Sequence, residues 1–254
     1  MAFPERLFYG WVIVAVLFTV NFSIHATGLL NYGLFILPMA NDLGLSRNVM
    51  GWVVTTRALS SVLSSFLIGR LLDRYGPRLL IPIAALGTGA AMLGIANTSH
   101  AWHLFLFFGI IGLMGLSAPA GAVMTSVPIA KWFVRRRGRA MSISALGLGI
   151  GAVAFLPLTQ VLISGQGWRS AWIVLGIIHV VMAVPVALLF LRRQPEDLGM
   201  KPDGDLHLVG GNPDEGDGSG DEAVWTVRDA LRTKALWKLV LALGLVSLGL
   251  GMAS

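Results

Sequence analysis

Arg57 stands inside the otherwise oily stretch "GWVVTTRALSSVLSSFLIG", residues 51–69. Burying an arginine at the centre of a membrane helix costs roughly 2.5–3.5 kcal/mol on insertion scales, so such a residue usually faces a water-filled cavity. A guanidinium grips a carboxylate through two parallel N–H bonds. Contact with a small organic anion is therefore one reading of Arg57. A structural arginine bonded to backbone carbonyls, or one snorkelling outward, is the other, and the sequence leaves both open.

A second set of polar groups precedes it. Asn21, His25 and Gly28 fall at i, i+4 and i+7, one face of a helix, and Tyr32 follows a turn later. Polar side chains on one stripe of an apolar helix predict a cavity wall. His25 has the chemistry to titrate near neutral pH or to hydrogen-bond a neighbouring helix. Gln160, a turn beyond Pro157, is a further cavity candidate. The five histidines (25, 100, 103, 179, 207) are scattered and cysteine is absent. His100 and His103 flank Trp102, which fits an interfacial anchor better than a metal site. No phosphate-binding loop of the form G-x-x-x-x-G-K-[ST], nucleophile elbow or zinc-binding helix motif occurs. Neither enzyme chemistry nor a cofactor or metal is expected.

These residues need elements to hold them, and the composition says which. Of 254 residues, 55% are hydrophobic and 13% charged, against about 25% charged in ordinary soluble domains. Lipid is the expected solvent and the bilayer the expected partner. About 20 apolar residues cross its roughly 30 Å core as a helix. Six such runs occur, near 7–30, 49–72, 79–97, 102–127, 140–163 and 168–191, and a seventh starts at 236. They are too long and too evenly apolar for barrel strands, so the chain reads as an all-α membrane protein. The first run, at 24 residues, exceeds the roughly 7–15 of a signal peptide's apolar region and reads as a retained helix. The seventh reaches Ser254 after 19 residues, which predicts a truncated helix and a C-terminal half beyond it.

The net charge of +6 does not indicate nucleic acid, because Lys and Arg sit at the ends of the apolar runs. With the N-terminus in the cytoplasm, sixteen of nineteen fall on the inside, and only Arg47 and Arg169 fall outside, with Arg57 within a run. The inside set includes Arg70, Arg74 and Arg78, and then Lys131, Arg135, Arg136, Arg137 and Arg139, a basic loop between the fourth and fifth runs.

Three segments follow: a six-helix bundle over 1–191, a linker over 192–235, and the start of helix seven over 236–254. From Asp203 to Glu222 the linker has seven acids, frequent Gly and no Lys, Arg or aromatic residue. Such a stretch cannot bury enough apolar surface to order itself. Thr226 and Asp229 resemble a capping box opening a short basic helix, Val227 to Lys238.

The most specific stretch is Gly69-Arg-Leu-Leu-Asp-Arg-Tyr-Gly-Pro-Arg-Leu-Leu80, between the second and third runs. Gly69 permits close helix approach. Gly76-Pro77 makes a turn and opens a helix. Asp73 is an acid among bases and needs a partner, either a helix N-terminus or a nearby Arg. A faint repeat at an offset of 91 aligns Leu71, Gly76 and Arg78 with Leu162, Gly167 and Arg169, and Trp11 with Trp102. It predicts two related three-helix units of opposite topology.

The pattern G-x-L-x-D-R-x-G-x-R, carried by Gly69, Leu71, Asp73, Arg74, Gly76 and Arg78, resembles the signature of the major facilitator superfamily. The six-run layout, the basic loop and the long linker resemble that family's N-terminal half. "YGW" (9–11), "YGLFILPMANDLGLSRNVMGW" (32–52), "KWFVRRRGRAMSI" (131–143), "GWRSAW" (167–172) and "PEDLGMKPDG" (195–204) are similar to its monocarboxylate-porter and oxalate/formate-antiporter branches. The resemblance implies a secondary active transporter, and the compact loops and lack of Cys fit a bacterial inner (plasma) membrane. It would carry a small organic anion, such as a mono- or dicarboxylate, by alternating access, as a symporter with protons or an antiporter. It also implies that Asp73 docks on the end of a helix 11 and latches the outward-open state, with Arg74 and Arg78 in support. Two departures concern proton coupling. The fourth run lacks an Arg, and Leu29 stands where the monocarboxylate branch has Lys. The alternative expectation is a half-length membrane protein that does not transport: a sensor, an assembly subunit or an inactive fragment.

Overall fold

The computed structural model describes residues 8–116, 120–200 and 233. The acidic stretch, the basic helix and the seventh run therefore lie outside the described residues. No strand occurs among those described. In chain order the helices are α1 (Gly10–Ile24), α2 (Leu29–Leu43), α3 (Arg47–Tyr75), α4 (Pro77–Ala96), α5 (Ala101–Leu113), α6 (Ala120–Trp132) and α7 (Arg137–Phe190), with 3-10 turns at His25–Thr27 and Pro195–Leu198.

Gly10–Leu43, Arg47–Tyr75, Pro77–Ala96 and Arg137–Phe190 are each long and apolar enough to cross a membrane. Their outer surfaces are the inverse of a soluble protein's. Phe66 is 73% and Val153 76% exposed, as lipid permits and water does not.

Helix α7 has 54 residues, which as one straight helix would reach about 80 Å. It turns instead at Gly167, whose φ of 82° and ψ of 166° are not helical. The contacts on either side give the directions. Gly147 faces the Phe18 carbonyl and Gly151 the Phe22 carbonyl, so the arm 137–166 runs parallel to α1. Beyond the turn, the His179 ring meets Ser23 and the Tyr9 hydroxyl donates to the Phe190 carbonyl at 2.7 Å, so the second arm runs antiparallel.

The first predicted run, 7–30, differs from the structure. It continues to Leu43 and is interrupted at the 3-10 turn, where Gly28 is extended (φ −61°, ψ 156°). The fourth run, 102–127, likewise corresponds to two helices, α5 and α6.

Glycines set the close contacts. A Cβ on Gly112 would strike the Arg57 carbonyl of α3, and one on Gly147 the Phe18 carbonyl of α1. Small residues let helix backbones approach when no hydrophobic effect drives them together in lipid. The close approach predicted at Gly69 is not seen among the described residues, where a Cβ would meet nothing within 4 Å. One core gathers Leu17, Trp132 and Phe133. A second gathers Phe35, Phe108 and Trp172, with Phe35 stacked on Trp172 at 4.3 Å and Phe108 edge-on to Trp172 at 5.9 Å.

Candidate functional site

Helices α1, α3 and α6 and the first arm of α7 line an open-sided cavity of about 530 Å³. Asn21, His25 and Gly28 line it together, with His25 in the 3-10 turn and Gly28 extended rather than on one unbroken helical face, and Arg57 enters from α3. Arg57 is the only Lys, Arg, Asp or Glu among the lining residues; much of the remaining wall is apolar, including Ile24, Leu116, Ile129 and Met141.

Each polar residue has a definite place. The Asn21 side-chain amide donates to both the carbonyl and the hydroxyl of Ser144, each at 3.0 Å, tying α1 to α7. The Arg57 guanidinium donates to the Thr27 carbonyl, which belongs to the interruption of the first span. This is the carbonyl-bonded geometry that the sequence left as one alternative, and it occurs at the cavity wall. Tyr32 and Gln160 are not on the wall. Tyr32 is buried, donates its hydroxyl to the Met50 carbonyl at 3.2 Å and packs edge-on to Phe108. Gln160 is exposed on the outer surface of α7. A glutamine in an apolar run has several outward and inward faces to choose from, and spacing relative to Pro157 did not fix its direction.

Four polar wall residues were not anticipated: Ser61, Thr125, Ser126 and Ser144. Ser61 had a signal, since it follows Arg57 by one turn. The others are weakly polar residues in apolar helices, which sequence periodicity alone does not distinguish from helix-bonded hydroxyls.

The 69–78 segment ends α3 and opens α4. Gly76 (φ 75°, ψ 165°) makes the turn, and Pro77 takes the first helical position of α4. The exposed Asp73 carboxylate lies 3.9 Å from the Nζ of the half-buried Lys131, and the Asp73 carbonyl accepts from Arg193. Arg78 Nε donates to the Leu188 carbonyl at 3.0 Å, and Arg74 lies 5.3 Å from the Tyr75 ring. Beyond Lys131, Arg135, Arg136, Arg137 and Arg139 are exposed, and Arg137 returns a bond to the Ala130 carbonyl at 3.0 Å. At the opposite end of the bundle, the Asp42 carboxylate pairs with Arg169 and accepts from Trp168 Nε1 at 3.3 Å. Arg169 also donates to the Thr98 carbonyl at 3.3 Å. Trp102 is exposed beside His103, with ring centroids 4.0 Å apart. No group of three or more metal-ligating side chains occurs among the described residues.

Apolar helices packed around one charged cavity define a multi-pass membrane protein with an internal solute-sized chamber. The family model described as Major Facilitator Superfamily matches residues 11–254, and the chain belongs to that superfamily. An uncharacterized MFS-type transporter of Bacillus subtilis, YcxA, is 24% identical over 73% of this chain and 45% of its own length. Human monocarboxylate transporter 11 is 28% identical over 80% of this chain and 42% of its own length. A probable L-galactonate transporter of Escherichia coli is 28% identical over 64% of this chain and 35% of its own length. The chain thus spans under half the length of these relatives.

Proposed function

We propose that this chain forms the N-terminal, six-crossing half of a secondary transporter that moves a small organic anion by alternating access. The observation that carries the proposal is Arg57, the one Lys, Arg, Asp or Glu among the described residues that line a 530 Å³ cavity. A fixed guanidinium in apolar surroundings favours a carboxylate, and the apolar wall favours a compact carbon skeleton. Asn21 and His25 supply hydrogen-bonding groups beside it. The relatives named for monocarboxylate and L-galactonate transport support the same class of substrate. A second half of similar size would close the other side of the cavity and rock against this one. The 69–78 turn would latch one state through Asp73, with Arg74 and Arg78 in support.

In proteoliposomes holding the full-length natural protein, uptake of labelled monocarboxylates is expected to exceed that of empty vesicles. Arg57→Ala should lower it about tenfold or more, since hydrogen bonds to a charged group are worth roughly 1.5–3 kcal/mol. Arg57→Lys keeps the charge but loses the fork and should retain part of the rate. Undiminished uptake by Arg57→Ala would remove the arginine from the site.

A further inference from the structure

The first span is broken in its middle, and the carbonyls around the break are claimed by named groups. In a continuous helix the carbonyls of residues 23–27 would accept from amides four residues on. Here the His179 Nδ1–H donates to Ser23 O at 3.2 Å. The Thr27 hydroxyl donates to Ile24 O at 2.9 Å, and the Gly28 amide to His25 O at 3.0 Å. Asn31 Nδ2 donates to Ala26 O at 3.0 Å, and Arg57 to Thr27 O. On the other side of the break, α2 begins at Leu29 with no side-chain cap. Its first amides, which lack intrahelical partners by construction, are the groups that Ala26 O and Thr27 O would accept from in a continuous helix.

The two arrangements differ chiefly in one torsion, which would have to turn by about 160° to reach the helical value. Gly28 already has a helical φ of −61°, and its ψ of 156° is what departs. His25 and Gly28 both line the cavity, so the break lies on the wall of the chamber.

We propose that the Thr27 carbonyl is a built-in competitor for Arg57, and that Asn31 is a positioning residue that keeps it there. A substrate carboxylate takes the guanidinium, because a charge-assisted fork outcompetes a neutral carbonyl. Thr27 O is then left buried without its donor, which is costly in apolar surroundings. Rotation of ψ at Gly28 lets Thr27 O accept from the Asn31 amide and Ala26 O from the Leu30 amide, closing the helix. The inference rests on the proposed anion contact of Arg57 and adds how that contact is felt by the fold. Closing the break re-aims α2, which carries Tyr32, bonded to Met50 O, and Asp42, paired with Arg169. Asn31 is buried and absent from the cavity wall, so its effect runs through the break and not through the ligand.

This stretch has no cysteine, so once any cysteine elsewhere in the full-length protein is replaced by serine, labels can be placed without background. Ala15→Cys on α1 and Asn41→Cys on α2, both exposed, would carry spin labels in the full-length protein in liposomes. The distance between them is measured with and without acetate, lactate and benzoate, and binding of the same anions is followed by calorimetry. The expected result is a shifted distance at saturating anion; Arg57→Ala, which removes the donor to Thr27 O, should show the shifted distance already without anion, bind none of the three and respond to none. Asn31→Leu should show the shifted distance without anion, bind the anion several-fold more tightly, and transport it more slowly. A merely structural role would not tighten binding while slowing turnover. Should Asn31→Leu fail to fold, Gly28→Ala, which favours the continuous helix, takes its place with the same expected distance. Binding with no shift overturns the competitor and leaves the Arg57 site standing. No binding of any of the three anions overturns both.

Discussion

Gly76 and Gly167, separated by 91 positions, share one backbone conformation: φ 75° and ψ 165° at the first, φ 82° and ψ 166° at the second. Each reverses the chain between two helices, and an arginine two residues later bonds a carbonyl of a neighbouring element. Arg78 reaches Leu188 O, and Arg169 reaches Thr98 O. The faint sequence repeat therefore corresponds to a repeated turn, and the two copies sit at opposite ends of the bundle.

That region of backbone is nearly exclusive to glycine and costs other residues on the order of 1–3 kcal/mol. Gly76→Ala and Gly167→Ala are each expected to lose about that much stability. A Cβ at Gly167 meets no neighbour, and one at Gly76 meets Arg193 only at ordinary contact distance, so backbone strain alone would be measured. Thermal unfolding in detergent reads the loss.

Glycines at crossings should behave unlike glycines in open space. Gly112→Ala and Gly147→Ala drive a methyl into a facing backbone carbonyl, whereas Gly149 and Gly138 face nothing within 4 Å. The first pair is expected to destabilise by about 1–3 kcal/mol. Gly149→Ala should be neutral or gain up to about 1 kcal/mol from helix propensity. The same unfolding assay separates the two pairs, and equal effects would contradict the packing described for α3, α5, α1 and α7.

The Asp42–Arg169 pair is 47% and 44% exposed, so solvent screens it. A double-mutant cycle with Asp42→Asn and Arg169→Gln should give a coupling of about 0.2–1 kcal/mol. Raising salt should shrink that value, and a coupling that survives high salt would point to the Trp168 and Thr98 bonds as the dominant ties.

Orientation is open to direct labelling in the same cysteine-free background, since residues 1–254 contribute none. With the N-terminus inside, Tyr75→Cys and Arg135→Cys should resist a membrane-impermeant maleimide added to intact cells. Ser99→Cys, in the turn before α5, should react. The reverse pattern would invert the topology drawn from the distribution of Lys and Arg.

The sequence alone determined the solvent, the helical class and the places where the chain turns at Gly76-Pro77 and Gly167. Those depend on properties that travel with single residues: transfer free energy into lipid, the fixed φ of proline, and the left-handed space open to glycine. Asn21, His25 and Gly28 share one wall, but the 3-10 turn and the extended Gly28 bring them there, not an unbroken helical face. The tertiary structure decided the rest. In "NFSIHATGLLNY" (21–32) Gly28 is the one weak signal for a broken helix, since no proline or charge interrupts it. The break is held by His179, Asn31 and Arg57, two of them distant in sequence. Tyr32 turned to Met50 and Gln160 turned outward for the same reason. Which partner a polar group finds in a helical bundle is set by the neighbouring helices, and their rotation and spacing are fixed by packing across the whole fold.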